Sequence, residues 1–289
     1  MLKRLKDYFK LIKFSHTIFA MPFALVGSYI GYIDSNYSVF PYKLLFYVVL
    51  CMFFARSAAM SFNRYADAYF DALNPRTKDR EIPTGVFNRR HALIFTILNS
   101  IFFVTTTYFI NNIVFYLSPV ALFIILAYSY TKRFTILCHL WLGVSLALSP
   151  IGSYLVFTKN FAWEPIFYSF VVLFWVSGFD IIYSIQDIDF DKKMSLKSIP
   201  SKLGPLKSLN IALLFHIVAI SLTVIIGILF KKHIFYWIGV IIFAMLLIYE
   251  FFIVKKSFEA NKINKVFSLV NSFAGLLYGI FVIIDIALF

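Results

Sequence analysis

The strongest constraint on this chain is a succession of long apolar runs that recur along its whole length. They fall at 16–33, 44–64, 92–110, 113–130, 135–157, 165–186, 209–230, 234–254 and 267–288. Most reach the roughly 18–20 residues that a helix needs to cross a bilayer, too long for buried helices of a soluble domain. Of the 289 residues, 61% are hydrophobic and 14% charged, against about 45–50% and 25% in soluble domains. Mean hydropathy is +0.83. Nine spans use about 180 positions, which leaves little for a separate extramembrane module. The expected fold is therefore all-α: a polytopic membrane bundle of nine transmembrane helices, forming one domain over 1–289. The first run is shorter and follows basic residues, as a signal peptide would, but the later spans favour a retained helix. Only Asn111-Asn112 separates the third and fourth runs, so those two helices are antiparallel neighbours.

The net charge of +13 could suggest nucleic acid, but its distribution reads as membrane topology, and no nucleic-acid partner is expected. Lys3, Arg4, Lys6, Lys10 and Lys13 precede the first span, and further clusters occupy 64–91, 132–133, 192–207 and 255–265. The alternate loops hold only Lys43, Lys159, Lys231 and Lys232. This places 22 basic residues against four and puts the N-terminus and the basic loops in the cytoplasm, with the C-terminus outside. The expected location is a bacterial-type inner membrane. Cys51 and Cys138 lie singly inside apolar runs and read as packing residues. His16, His91, His139, His216 and His233 are scattered, and no His-based metal site is visible.

Of the 14 acids, eight crowd into two places on the cytoplasmic side: Asp67, Asp71, Asp79 and Glu81, then Asp180, Asp187, Asp189 and Asp191. Asn63, Asp67 and Asp71 are spaced i, i+4, i+8, one helical face over about 12 Å. Arg56 lies two turns deeper on that face. Asp180, Asp187 and Asp191 repeat the geometry at i, i+7, i+11, with Tyr183 and Ser184 on or near the stripe. Two facing carboxylate stripes repel unless a cation sits between them. Oxygen-only ligands suit a hard ion, and Mg²⁺ takes one or two carboxylates plus substrate phosphates. Asp79, Glu81 and Asp189 read better as helix-end or charge-balancing residues, whereas acids near membrane depth usually mark function. Arg80, Lys132 and Arg133 sit beside the acids and can clamp phosphate oxygens. A diphosphate held by metal and cations becomes a good leaving group.

These residues carry a resemblance. Asn63-x-x-x-Asp67-x-x-x-Asp71, followed by Arg76-Thr-Lys-Asp-Arg80-x-x-Pro83-x-Gly85, resembles the first signature of the UbiA-type intramembrane prenyltransferases. Asp180-Ile-Ile-Tyr183-Ser-Ile-Gln186-Asp187-Ile-Asp-Phe-Asp191, with Ser198-Ile-Pro200 and Gly204 after it, is similar to the second. Tyr130-Thr131-Lys132-Arg133 resembles the basic turn after the fourth helix. The likeness runs across nearly the whole chain and is strongest to 4-hydroxybenzoate polyprenyltransferases and their menaquinone-pathway relatives.

The resemblance implies a mechanism. A polyprenyl diphosphate enters from the lipid bilayer, its tail lying in an apolar tunnel among the helices. Asp67, Asp71, Asp180 and Asp187 are the catalytic residues, and with Asn63 and Asp191 they hold Mg²⁺ on the diphosphate. Arg80, Lys132 and Arg133 share its charge. An allylic cation forms and is attacked by the ring of an aromatic acid, 4-hydroxybenzoate or a naphthoate-type acceptor. Arg56 is placed to hold the acid's carboxylate, or else to pair with Glu250 or the aspartates. Tyr183 offers its ring face to the cation. Ion transport is the competing class, but a crossing path needs midplane acids, and the last two spans hold only Glu250 and Asp285, neither with an assignable role. A CDP-alcohol phosphotransferase expects a Gly- and Arg-containing Asp motif that this sequence lacks.

Overall fold

The computed structural model describes residues 21–35 and 37–289, and every described regular element is helical. Residues 16–20 of the first expected span and the basic cluster from Lys3 to Lys13 lie outside the described residues. The long helices are α1 (Met21–Ile33), α2 (Tyr42–Ala66), α4 (Arg89–Tyr108), α5 (Asn112–Thr131), α6 (Cys138–Thr158) and α7 (Trp163–Ser184), then α10 (Pro205–Leu229), α11 (Ile234–Lys256) and α13 (Asn271–Leu288). Short helices α3 (Ala68–Leu73), α8 (Ile188–Lys193), α9 (Ile199–Leu203) and α12 (Ala260–Lys265) lie between them. Eight described segments are long and apolar enough to cross a membrane, and α1 is a shorter apolar helix. The chain is an all-helical integral membrane protein, and the expected bundle of nine spans agrees with this arrangement.

The long helices form a ring. Helix α2 packs on α4, α4 on α5, α5 on α6, α6 on α7, α7 on α10, α10 on α11, α11 on α13 and α13 on α1, while α1 also lies along α6. Where water cannot solvate the backbone, close approach and polar contacts take over from the hydrophobic effect. A Cβ on Gly27 would collide with the Pro150 carbonyl and the Ser153 hydroxyl, so only glycine lets α1 lie this tightly on α6. Ser61 and Thr96 share a 2.8 Å hydrogen bond between α2 and α4. Trp141 Nε1 donates to the Ile124 carbonyl from α6 to α5 at 2.8 Å.

Several helix ends are satisfied by side chains. The expected tight turn is held by Asn111, which accepts from Val114 N at 2.9 Å and donates to the Leu155 carbonyl at 3.0 Å. Ser198 and Ser201 form a capping box on α9, and Gly204, at φ +80°, turns the chain into α10. Asp285, left without a role by the sequence, caps a different helix. Its Oδ2 accepts from His233 N at 2.9 Å and its Oδ1 from Tyr236 N at 3.0 Å, at the start of α11.

Asp285→Ala is expected to destabilise the bundle by about 1–2 kcal/mol, the range for a lost N-cap. A lower melting temperature in detergent, with activity per folded molecule retained, would confirm it.

Candidate active site

The first motif bends at the junction of two helices. Helix α2 ends at Ala66, and Asp67 (φ −94°, ψ 8°) joins it to α3. Backbone bonds nevertheless run through the joint, from Asp67 N to the Asn63 carbonyl at 2.9 Å and from Asp71 N to the Asp67 carbonyl at 2.8 Å. The expected common face of Asn63, Asp67 and Asp71 therefore survives the break, and Asn63 Nδ2 donates to Asp67 Oδ2 at 2.9 Å.

The second motif departs further from a single stripe. After α7 the chain tightens into a 3₁₀ turn, Ile185–Asp187, before α8 resumes. A 3₁₀ turn rotates each residue further than an α-helix does. Asp180, Asp187 and Asp191 accordingly reach three different partners. Asp180 Oδ2 meets His139 Nδ1 at 2.7 Å. Asp187 receives a forked pair from Arg76, Nε to Oδ1 at 2.8 Å and Nη2 to Oδ2 at 2.6 Å, with Asn74 Nδ2 at 3.2 Å. Asp191 accepts from Lys132 Nζ at 2.9 Å and from Ser198 Oγ at 2.9 Å.

The first-motif acids are paired as well. Arg80 Nη1 donates to Asp71 Oδ1 at 2.7 Å. Arg133 Nη2 donates to the Ala66 carbonyl at 2.6 Å and to Asp67 Oδ1 at 3.3 Å. The turn of Lys132 and Arg133 thus ties both motifs together, and the loop after α3 ties them again through Arg76. Tyr183 belongs to this centre: Arg76 Nη1 donates to its hydroxyl at 3.0 Å, and the guanidinium lies 5.3 Å from its ring centroid. Arg56 sits in α2 two turns before Asn63 and is half-buried. Glu250 instead accepts from Asn271 at 2.9 Å and lies 4.0 Å from His216. Glu81 lies 3.6 Å from the buried Arg64, matching its charge-balancing reading.

Two features bear on a cation. Asp71 Oδ2 is buried and has no hydrogen-bond partner, an oxygen left over beside Arg80. Among the described residues no three His, Cys, Asp or Glu side chains stand together as a ready cage. Such a donor set fits an ion that takes few carboxylates and completes its shell with phosphate and water. Burial, with Asp71 second, pushes the Asp67 carboxyl up to about 6 against the pull of Arg133 and Lys132. For Lys132, burial works downward, but Asp191 and Asp187 outweigh it and hold the ammonium above its ordinary value.

Sequence reasoning gave no role to Arg76, Asn74 or His139. Arg76 opens the loop stretch of the first motif and Asn74 lies two residues before it, and the signal for them was position alone. His139 looked like one of five scattered histidines, yet it sits in the first turn of α6, level with the C-terminal part of α7 that carries Asp180.

The fold and site are those of a helical membrane bundle with aspartates and cations paired across two motifs. The profile of the UbiA prenyltransferase family matches residues 20–274, and the chain belongs to that family; it is a prenyltransferase. It is 26% identical over 246 residues to 4-hydroxybenzoate octaprenyltransferase of Vesicomyosocius okutanii, covering 85% of this chain and 89% of the relative. With the enzyme of the same description from Francisella tularensis subsp. novicida it shares 27% over 230 residues, 80% of each chain. The apo UbiA homolog from Aeropyrum pernix superposes with a TM-score of 0.83 at 28% identity, covering 93% of this chain and 98% of that one. A UbiA homolog from Archaeoglobus fulgidus, bound to DMAPP and Mg²⁺, has the same fold with a TM-score of 0.71 at 20% identity, over 96% and 99% of the two chains.

The raised Asp67 carboxyl has two consequences. Its anion is costly in the folded state, so the stability it contributes is full below the ordinary carboxylate range and lost as pH rises through about 6. Asp67→Asn is expected to raise the melting temperature of the ligand-free protein above pH 6 relative to wild type, with the gain shrinking toward pH 4. The same substitution is expected to abolish activity, and wild-type activity is expected to fall as pH drops below about 6. Paired thermal-shift and rate profiles across pH check both.

Proposed function

We propose that this enzyme transfers a polyprenyl group from a polyprenyl diphosphate to the ring of an aromatic acid, 4-hydroxybenzoate, in quinone biosynthesis, with Mg²⁺ as the metal. The observation that carries the reading is the buried, unpartnered Asp71 Oδ2 in a face of acids interleaved with Arg76, Arg80, Lys132 and Arg133. The names of the octaprenyltransferase relatives and the Mg²⁺- and DMAPP-bound homolog support it.

Asn63, Asp67 and Asp71 would hold metal from the first motif. Asp180, Asp187 and Asp191 are the candidates from the second, each now held by His139, Arg76 or Lys132. When bound, Mg²⁺ supplies the Lewis acidity that makes the diphosphate a leaving group. Arg80, Lys132 and Arg133, joined by Arg76, take phosphate oxygens. Each of these cations rests on a carboxylate of the same site, so substrate exchanges partners without stranding a buried charge. Arg56 holds the acceptor's carboxylate, deeper in the membrane than the diphosphate. The face of Tyr183 lies where positive charge develops as the carbon–oxygen bond breaks. The ring carbon then bonds to the allylic carbon and loses its proton. The 22-to-four distribution of basic residues supports a cytoplasmic N-terminus and site, and an outer C-terminus, in an inner membrane of bacterial type.

Detergent-solubilised protein with geranyl diphosphate, radiolabelled 4-hydroxybenzoate and either Mg²⁺ or EDTA provides the test. Prenylated product is expected with Mg²⁺ alone, reduced at least ~100-fold in Asp71→Ala, the scale for losing a charged group at a reacting centre. Turnover only with a naphthoate-type acid would reassign the acceptor. No prenylated product with any aromatic acid would overturn the reading.

A further inference from the structure

Helix α7 carries Trp175, Phe179 and Tyr183 at four-residue spacing, and Asp187 follows at the end of the 3₁₀ turn, so a row of rings leads from the apolar core to the ionic site. Along it Trp175 and Phe179 rings lie 5.4 Å apart. One further ring joins the row from another helix. Phe267 lies 4.2 Å from Tyr183 and 5.5 Å from Phe179, centroid to centroid. The face of Tyr183 is thus covered by Phe267, while its hydroxyl is held by Arg76 beside Asp187.

Phe267 is delivered by an irregular backbone. Residues Val266–Val270 form a π-helical turn between α12 and α13, a geometry that is rare and concentrated at functional sites. The turn is fixed from its far end. Asn271, the next residue, donates to Glu250 Oε1 at 2.9 Å and accepts from Trp175 Nε1 at 3.2 Å. Gly275, one turn on, leaves room for the Trp175 ring that a Cβ would displace. Glu250, Asn271 and Trp175 thereby lock α11, α13 and α7 in one register. Phe267 itself is half-buried and packs against the edge of the apolar core, so its ring stands between that core and Tyr183.

We propose that Phe267 closes, with Tyr183, over the allylic end of the prenyl diphosphate, where it steadies the developing cation and keeps water from it. This inference rests on the prenyl-transfer reading. The carbon–oxygen bond breaks with both electrons leaving on the diphosphate. The cation is consumed either by the acceptor's ring carbon, which then loses a proton, or by water, which loses a proton and leaves the prenyl alcohol. An aromatic wall stabilises positive charge without offering it a nucleophile, so Phe267 governs both the rate and the division between the two products.

The test measures diphosphate release, prenylated acid and prenyl alcohol together, for full-length wild type, Phe267→Leu and Phe267→Trp. In Phe267→Leu, diphosphate release should fall about tenfold, and the ratio of alcohol to prenylated acid should rise, with KM for the prenyl diphosphate unchanged. Phe267→Trp, which keeps a ring face, should restore most of the rate and the product ratio. Should the leucine protein fail to fold, mono-, di- and trifluorophenylalanine at 267 keep the shape while weakening the ring face, and the rate should decline stepwise. A flat rate across that series, or an unchanged product ratio in a folded Phe267→Leu protein, would overturn the role of Phe267 and leave prenyl transfer standing. A wild type that consumes no prenyl diphosphate would overturn both.

Discussion

The structure depends on an exchange of charge between segments distant in sequence. Asp67 is held by Arg133, Asp71 by Arg80, Asp187 by Arg76 and Asp191 by Lys132. A carboxylate taken from water at a membrane face is costly unless its partner is close and well aligned. The forked Arg76–Asp187 pair has that geometry. Because Arg76 follows α3 and Asp187 follows α7, this one contact fixes the two motifs against each other. The Lys132–Arg133 turn repeats the tie with one side chain to each motif. The two motifs are thereby held together by the protein's own ion pairs.

Asp67 is where the arrangement is least comfortable. Its nearest cation is 3.3 Å away and shared with the Ala66 carbonyl, and the neighbouring Asp71 opposes its ionisation. Sites that must receive a cation are built from groups the ligand-free fold holds at a cost. The unpartnered oxygen of Asp71 belongs to the same pattern, since a buried acceptor without a donor is otherwise removed by packing or by water.

Much of this was legible in the sequence. Apolar length alone places the spans, because the bilayer fixes the length of a helix more tightly than any soluble core does. The Asn63-Asp67-Asp71 face was readable because the i, i+4 backbone bonds continue through the bend at Asp67. The second motif was not readable as one stripe, because the 3₁₀ turn at Ile185–Asp187 changes the rotation per residue after α7. No periodicity announces such a turn. Partner choice was also hidden. Lys132 and Arg133 are adjacent, yet they serve different motifs, and only the packing of α5 and α6 against α2 and α7 decides which reaches which. Asp285 and Glu250 had no partners in sequence, since each acts on a neighbouring helix.

Those two acids show how the distant half of the bundle bears on the site. Asp285 supplies the missing acceptor at the start of α11, and Glu250, from the same helix, takes the amide of Asn271. Helix α11 is therefore pinned to α13 at both ends, and α13 to α7 through Trp175. With no hydrophobic effect to drive one helix against another in lipid, directional bonds of this kind set register. Register in turn determines that Phe267, the one ring of the π-turn, meets Tyr183. Glu250 thus fixes, through Asn271 and Trp175, where the π-turn stands beside α7, whereas Asp285 secures the far end of α11.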